Sequence, residues 1–63
     1  MQNLQTRYEE LVRHYGQYAA KSATVAAILV ECGNVLAGGG AMDDMDALER
    51  DLLRELERIE RGE

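Results

Sequence analysis

The sequence predicts an all-α fold: an antiparallel helical hairpin that assembles into an oligomeric helical bundle. Three observations predict it. The chain has no proline, phenylalanine or tryptophan, and Ala, Leu, Glu and Arg, all strong helix formers, dominate it. Apolar residues recur with a seven-residue period through the first half. Three consecutive glycines, Gly38–Gly40, then separate that segment from a second amphipathic one.

The first helix is expected over about residues 4–37. Thr6 and Glu9 have capping-box spacing, and Asn3 offers a slightly earlier start. Leu4, Leu11, Tyr18, Val25 and Cys32 recur every seven residues. Tyr8, Tyr15, Ser22, Leu29 and Leu36 do the same four positions on, and only Ser22 is polar. These are the d and a positions of a coiled-coil seam. Beside them run Val12, Ala19, Ala26 and Gly33, mostly small, which lets a neighbouring helix come close. From Ala19 onward, Ala20, Ala23, Ala27, Ile28, Val30 and Val35 lie off the seam. That half reads as a core element, because a helix apolar nearly all round is buried on several sides. The earlier half is one-sided, and Gly16 marks a candidate bend.

The glycines read as a turn over 38–42, with Gly38 just past the end of the first helix. A phosphate-binding loop would need a lysine after the glycines. Here Asp43, Asp44 and Asp46 follow and would repel an anion. The second helix is expected over about 43–61, with Asp43 or Asp44 as N-cap and the other acids at the positive end of its dipole. Met45, Leu48, Leu52, Leu56 and Ile59 form its apolar stripe, with Leu53 on the flank. Asp46–Arg50, Glu57–Arg61, Asp51–Arg54 and Glu55–Arg58 have the spacing of intrahelical ion pairs, with the acid first. Arg58, Arg61 and Gly62 suit its end.

Residues 1–63 form a single helical-hairpin domain on this reading. The two helices would span ~50 Å and ~28 Å at 1.5 Å per residue. The second covers only half of the first, so Leu4, Tyr8, Leu11, Val12, Tyr15 and Tyr18 are left as an uncovered stripe. Such a stripe marks an interaction site, and the economical partner is another copy, giving a dimer or higher homo-oligomer. The small size agrees: a chain of this length buries only about 60% of its unfolded surface. The single cysteine rules out an internal disulfide, and Cys32 with His14 is too few ligands for structural zinc.

The net charge of −5 lies entirely in residues 38–63, where four arginines face nine acids. This opposes non-specific nucleic-acid binding. No apolar run approaches the ~20 residues of a membrane span, and "MQNLQTRYEEL" is not a signal peptide. The expected location is cytoplasmic.

Cys32, on the seam, reads as a small buried hydrophobe. Counting an EF-hand loop from Asp44 puts Glu49 where glycine is needed, so the aspartates read as helix-capping groups. Arg7, His14 and Lys21, spaced by seven, are the candidate ligand-binding residues, a basic strip beside Tyr8, Tyr15 and Tyr18. No catalytic constellation or cofactor site is expected.

The function expected is that of a small acidic non-enzymatic protein acting by protein–protein interaction: an oligomeric adaptor, chaperone or inhibitor of the kind phage and accessory genes encode. The alternative is an oligomer binding an anionic ligand or nucleotide on that strip between subunits. A third reading, an acidic mimic of nucleic acid, is weakened by the interspersed arginines. In hairpin size, and in "VECGNVLAGGG" over residues 30–40, the chain resembles the small helical-hairpin cochaperones of bacterial type III secretion needle subunits. That resemblance implies a chaperone's protein partner. In length and architecture it also resembles the plasmid RNA-binding hairpin dimers, without carrying their residues.

Overall fold

A computed structural model describes residues 3–62, and among them there are three helices and no strand: α1 (Leu4–Ala19), α2 (Ala23–Ala37) and α3 (Met42–Glu60). Asn3 is the N-cap of α1, its side-chain oxygen accepting from the Thr6 N–H at 2.8 Å. The expected single helix over 4–37 is corrected to two helices. The chain leaves α1 through Ala20 and Lys21, and Ser22 takes an extended conformation (φ −137°, ψ 113°). The Lys21 and Ser22 N–H groups both donate to the Tyr18 carbonyl, at 3.0 and 2.9 Å. The Ser22 hydroxyl accepts from the Val25 N–H at 3.2 Å and so starts α2. Gly16, the candidate bend, lies inside α1.

The physical reason for the break is burial. A straight helix would leave its first half uncovered. Folding back places Leu11 in a core with Val25, Leu29, Cys32, Met45 and Leu52, and packs Leu4, Tyr8, Tyr15 and Tyr18 against it. Each fully buried aliphatic side chain contributes roughly 1.5–3 kcal/mol, more than the few helical hydrogen bonds interrupted at residues 20–22, several of which the end bonds and the Ser22 cap replace. Apart from Val12, the stripe therefore has cover in its own chain.

Contacts at both ends show the path. A Cβ built on Gly33 would lie 3.4 Å from the Tyr8 hydroxyl, so the Tyr8 ring near the start of α1 covers a glycine near the end of α2. Arg7 meets Asp46 and Glu49 near the start of α3. The chain thus reverses at each connection, and the bundle measures 35 × 18 × 18 Å. The stripe of small residues has its use here: Gly33 lets α1 approach α2 closely.

The second connection carries a Schellman motif one residue later than expected. Gly38 is the C-cap, and Gly39 has the left-handed φ of +72°. The Gly40 N–H donates to the Val35 carbonyl at 2.8 Å and the Gly39 N–H to the Leu36 carbonyl at 3.4 Å. α3 begins earlier than expected, with Ala41 as N-cap. Asp43 and Asp44 are therefore first-turn residues, and the Asp44 carboxylate reaches back to accept from the Ala41 N–H at 3.1 Å. At the far end Gly62, with φ +81°, closes the helix.

These geometries separate two glycines. A Cβ at Gly39 meets nothing within 4 Å, so Gly39→Ala should cost only the left-handed backbone penalty, about 1–2 kcal/mol. At Gly40 a Cβ would stand 2.7 Å from Val35 Cγ1, a branched side chain with little rotamer freedom in a helix. Gly40→Ala should cost about 1–3 kcal/mol, and Val35→Ala in the same chain should recover part of that. Urea midpoints of the two single variants and the double variant give the answer. Strict additivity would disprove the clash.

Candidate interaction surface

α1 is tied to α3 by Arg7. Its Nη2 lies 2.8 Å from Asp46 Oδ1 and also donates to Glu49 Oε1, and the side chain is 20% exposed. The hydrogen bond to Glu49, with the charges of Glu49 and Asp46, raises the guanidinium pKa against the opposing effect of burial. Asp46, expected to pair with Arg50 along its own helix, pairs across helices instead. Burial raises the Tyr15 phenol pKa and the charge of Glu49 adds to it; Tyr15 lies two four-residue steps along α1 from Arg7, on the same face of the helix.

A second polar tie sits at the α1–α2 connection. Glu55 of α3, only 9% exposed, is the one charged residue that packs at core depth among those described. Arg58 holds it with two hydrogen bonds, Nε to Oε1 at 2.7 Å and Nη2 to Oε2 at 2.5 Å. The Arg58 hydrogen bond is the main reason the carboxyl pKa is lowered, ahead of the opposing cost of desolvation. Ser22, whose hydroxyl caps α2, lies close by and adds a smaller lowering. Beside this corner, Thr24 and Ile28 of α2 and Asp51, Arg54, Glu55 and Arg58 of α3 line an open groove of about 500 Å³ that extends to Arg61.

The lowered pKa gives a direction for pH dependence. A carboxyl whose folded pKa lies below its unfolded value, about 4.3 for glutamate, contributes stability that is fully present above that value. The contribution is lost as pH falls through the folded pKa. Thermal midpoints should therefore fall as pH drops below the usual glutamate range. Glu55→Gln should flatten that decline while lowering the midpoint at pH 7. An unchanged pH profile in Glu55→Gln would remove Glu55 as its source.

The candidate interface residues fall into different environments. Leu11 is 2% exposed and belongs to the core. Leu4, Tyr8, Tyr15 and Tyr18 are half-buried against it, and Val12 is exposed. Of the candidate ligand-binding residues, Arg7 is engaged with α3. His14 is exposed, its ring edge-on to Tyr15 at 6.4 Å, and Lys21 lies beyond the end of α1 in the connection.

The structure adds a surface that the sequence reading assigned to the core. Val30 is 64% exposed. Val12 and Val30 each follow a buried leucine, Leu11 and Leu29, and so lie about 100° round from the core direction. Tyr8 over Gly33 sets the antiparallel register, and one turn further along it Val12 comes level with Leu29 and Val30. The outer face of the α1–α2 pair thus carries two valines. Between and beside them are small residues such as Gly16, Ala23 and Ala27. Val30 could have been suspected from its position, since it lies well off the seam that holds Leu29 and Cys32.

Cys32 is fully buried, and its thiol pKa is raised, chiefly by desolvation and then by the nearby Glu31 charge. Among the described residues no group of three or more His, Cys, Asp or Glu side chains is placed to hold a metal ion. No described helix is long and apolar enough to cross a membrane. The chain matches no protein-family model, no curated protein and no solved structure.

Proposed function

We propose that this chain is a non-enzymatic helical interaction protein, an oligomeric adaptor, chaperone or inhibitor that works by presenting the outer face of α1 and α2 to another helix. The observation that carries the reading is the exposure of Val30, 64%, beside Val12, 38%, on a face that also carries the small residues Gly16, Ala23 and Ala27. Apolar side chains grouped on one face are an interaction signal where single ones are not. Small residues let an incoming helix approach closely, as Gly33 lets α1 approach α2. The acidic balance of the chain favours a partner that is neutral or basic at the rim of the contact.

Replacing Val12 and Val30 together by glutamate tests this. Both side chains are exposed, so helix content should stay at the wild-type level. Capture of a partner from the native host should fall at least tenfold. A double variant that captures as wild type would show that the functional surface lies elsewhere.

A further inference from the structure

We propose that two copies of this chain exchange α1, so that the three-residue connection at Ala20–Ser22 straightens and α1 with α2 becomes one helix whose first half packs on the partner. The proposal rests on the self-association in the function proposed above, and says how it is achieved.

The seam runs through the break without a phase shift. Leu4, Leu11 and Tyr18 precede it and Val25 and Cys32 follow it, all spaced by seven. A chain meant only to reverse there would need no such continuity. A continuous helix would bring all five residues to one face. The connection also holds no glycine and no proline. Ala20 keeps helical backbone angles (φ −69°, ψ −21°), and Ser22 carries the extended departure. Straightening therefore centres on residue 22. Short hinge connections of this kind favour exchange of the element they carry.

The contacts α1 makes are the same in either state. Leu11 joins the core that contains Val25, Leu29 and Leu52, and Arg7 pairs with Asp46 and Glu49, whether these belong to its own chain or to a second copy. What holds the closed form is local: the Ser22 hydroxyl on the Val25 N–H. Association removes that cap, restores helical hydrogen bonds through the connection, and becomes favourable as concentration rises.

Two substitutions push the equilibrium in opposite directions. Ala23→Pro suits the closed chain. Residue 23 is the first of α2 and exposed, and Ser22 before it is already extended, as a residue preceding proline must be. In a continuous helix the same proline would sit mid-helix and break it. Ser22→Ala removes the cap and favours helix, and acts at both hinges of a dimer.

The test is sedimentation of wild type, Ser22→Ala and Ala23→Pro from micromolar to millimolar concentration. It is joined by electron-spin distances between labels at Glu9→Cys and Asn34→Cys in a Cys32→Ala background, with labelled chains diluted into unlabelled protein. Wild type should dimerise and Ser22→Ala should do so about tenfold or more tightly, while Ala23→Pro stays monomeric and folded. In the dimer the intrachain distance should lengthen from that of neighbouring helices to roughly 37 Å, twenty-five residues of helix. A dimer that keeps the short intrachain distance overturns the proposal. So does Ala23→Pro dimerising as wild type does, or wild type and Ser22→Ala both remaining monomeric throughout. The Val12 and Val30 variant reads partner capture separately, so loss of exchange and loss of the binding face are told apart.

Discussion

Leu52→Ala is expected to lower the free energy of unfolding by about 2–5 kcal/mol, the range for a leucine truncated in a packed core. Leu52 is fully buried, and among the described residues the core around it contains five other buried apolar side chains. A chain of this size has a total stability of roughly 3–9 kcal/mol, so the variant loses a large part of it. The next residue supplies the control. Leu53 is 49% exposed, and its truncation should cost less than about 1 kcal/mol. Urea unfolding followed by circular dichroism compares the two directly. Equal losses would mean that α3 is rotated from the orientation described.

Leu11→Ala should be nearly as damaging, again about 2–5 kcal/mol. Its interest lies in α1. A projecting wing would tolerate the change when dilute, because Leu11 would be buried only between copies. In the closed chain Leu11 is 2% exposed against residues of α2 and α3, and its loss should be felt at the lowest concentration that can be measured. The shift in midpoint between wild type and Leu11→Ala should therefore already be present in dilute solution. A variant as stable as wild type there would show that α1 is not packed on its own chain.

Much of this fold was legible in the residues. Composition implied helices, Asn3 offered a cap, the glycines stopped a helix, and Met45, Leu48 and Leu52 traced the buried face of α3. The break at residues 20–22 was not legible, for a physical reason. A seam that keeps its phase is required by a straight helix and also accepted by a folded-back pair, so it points to the straight form even where the chain reverses. Ser22 could have announced a helix start, but position 25 holds valine where a capping box has glutamate or glutamine. Ala20 and Lys21 are good helix formers. Only the tertiary gain from covering Leu11 and the tyrosines decides for reversal.

The candidate surface was read less well for the same reason. Once α1 folds back, Leu11 turns from interface to core and Arg7 from ligand-binding candidate to interhelical tie. Val30 moves the other way, from expected core to exposed face, because α1 covers a side of α2 that excludes it. The Glu55 corner had a sequence trace, an acid three residues after Leu52 and one before Leu56. Its neighbour Ser22 lies thirty-three positions away, a separation that no local pattern spans.

The solitary thiol of Cys32 gives this protein an internal clock. It is fully buried, and burial also holds its pKa up, so a thiol reagent finds little nucleophile in the closed molecule. Every modification event requires that α2 be uncovered first. The rate at which a single aromatic disulfide reagent consumes the thiol therefore counts openings of the bundle. Its dependence on reagent concentration separates how often the helices part from how long they stay apart.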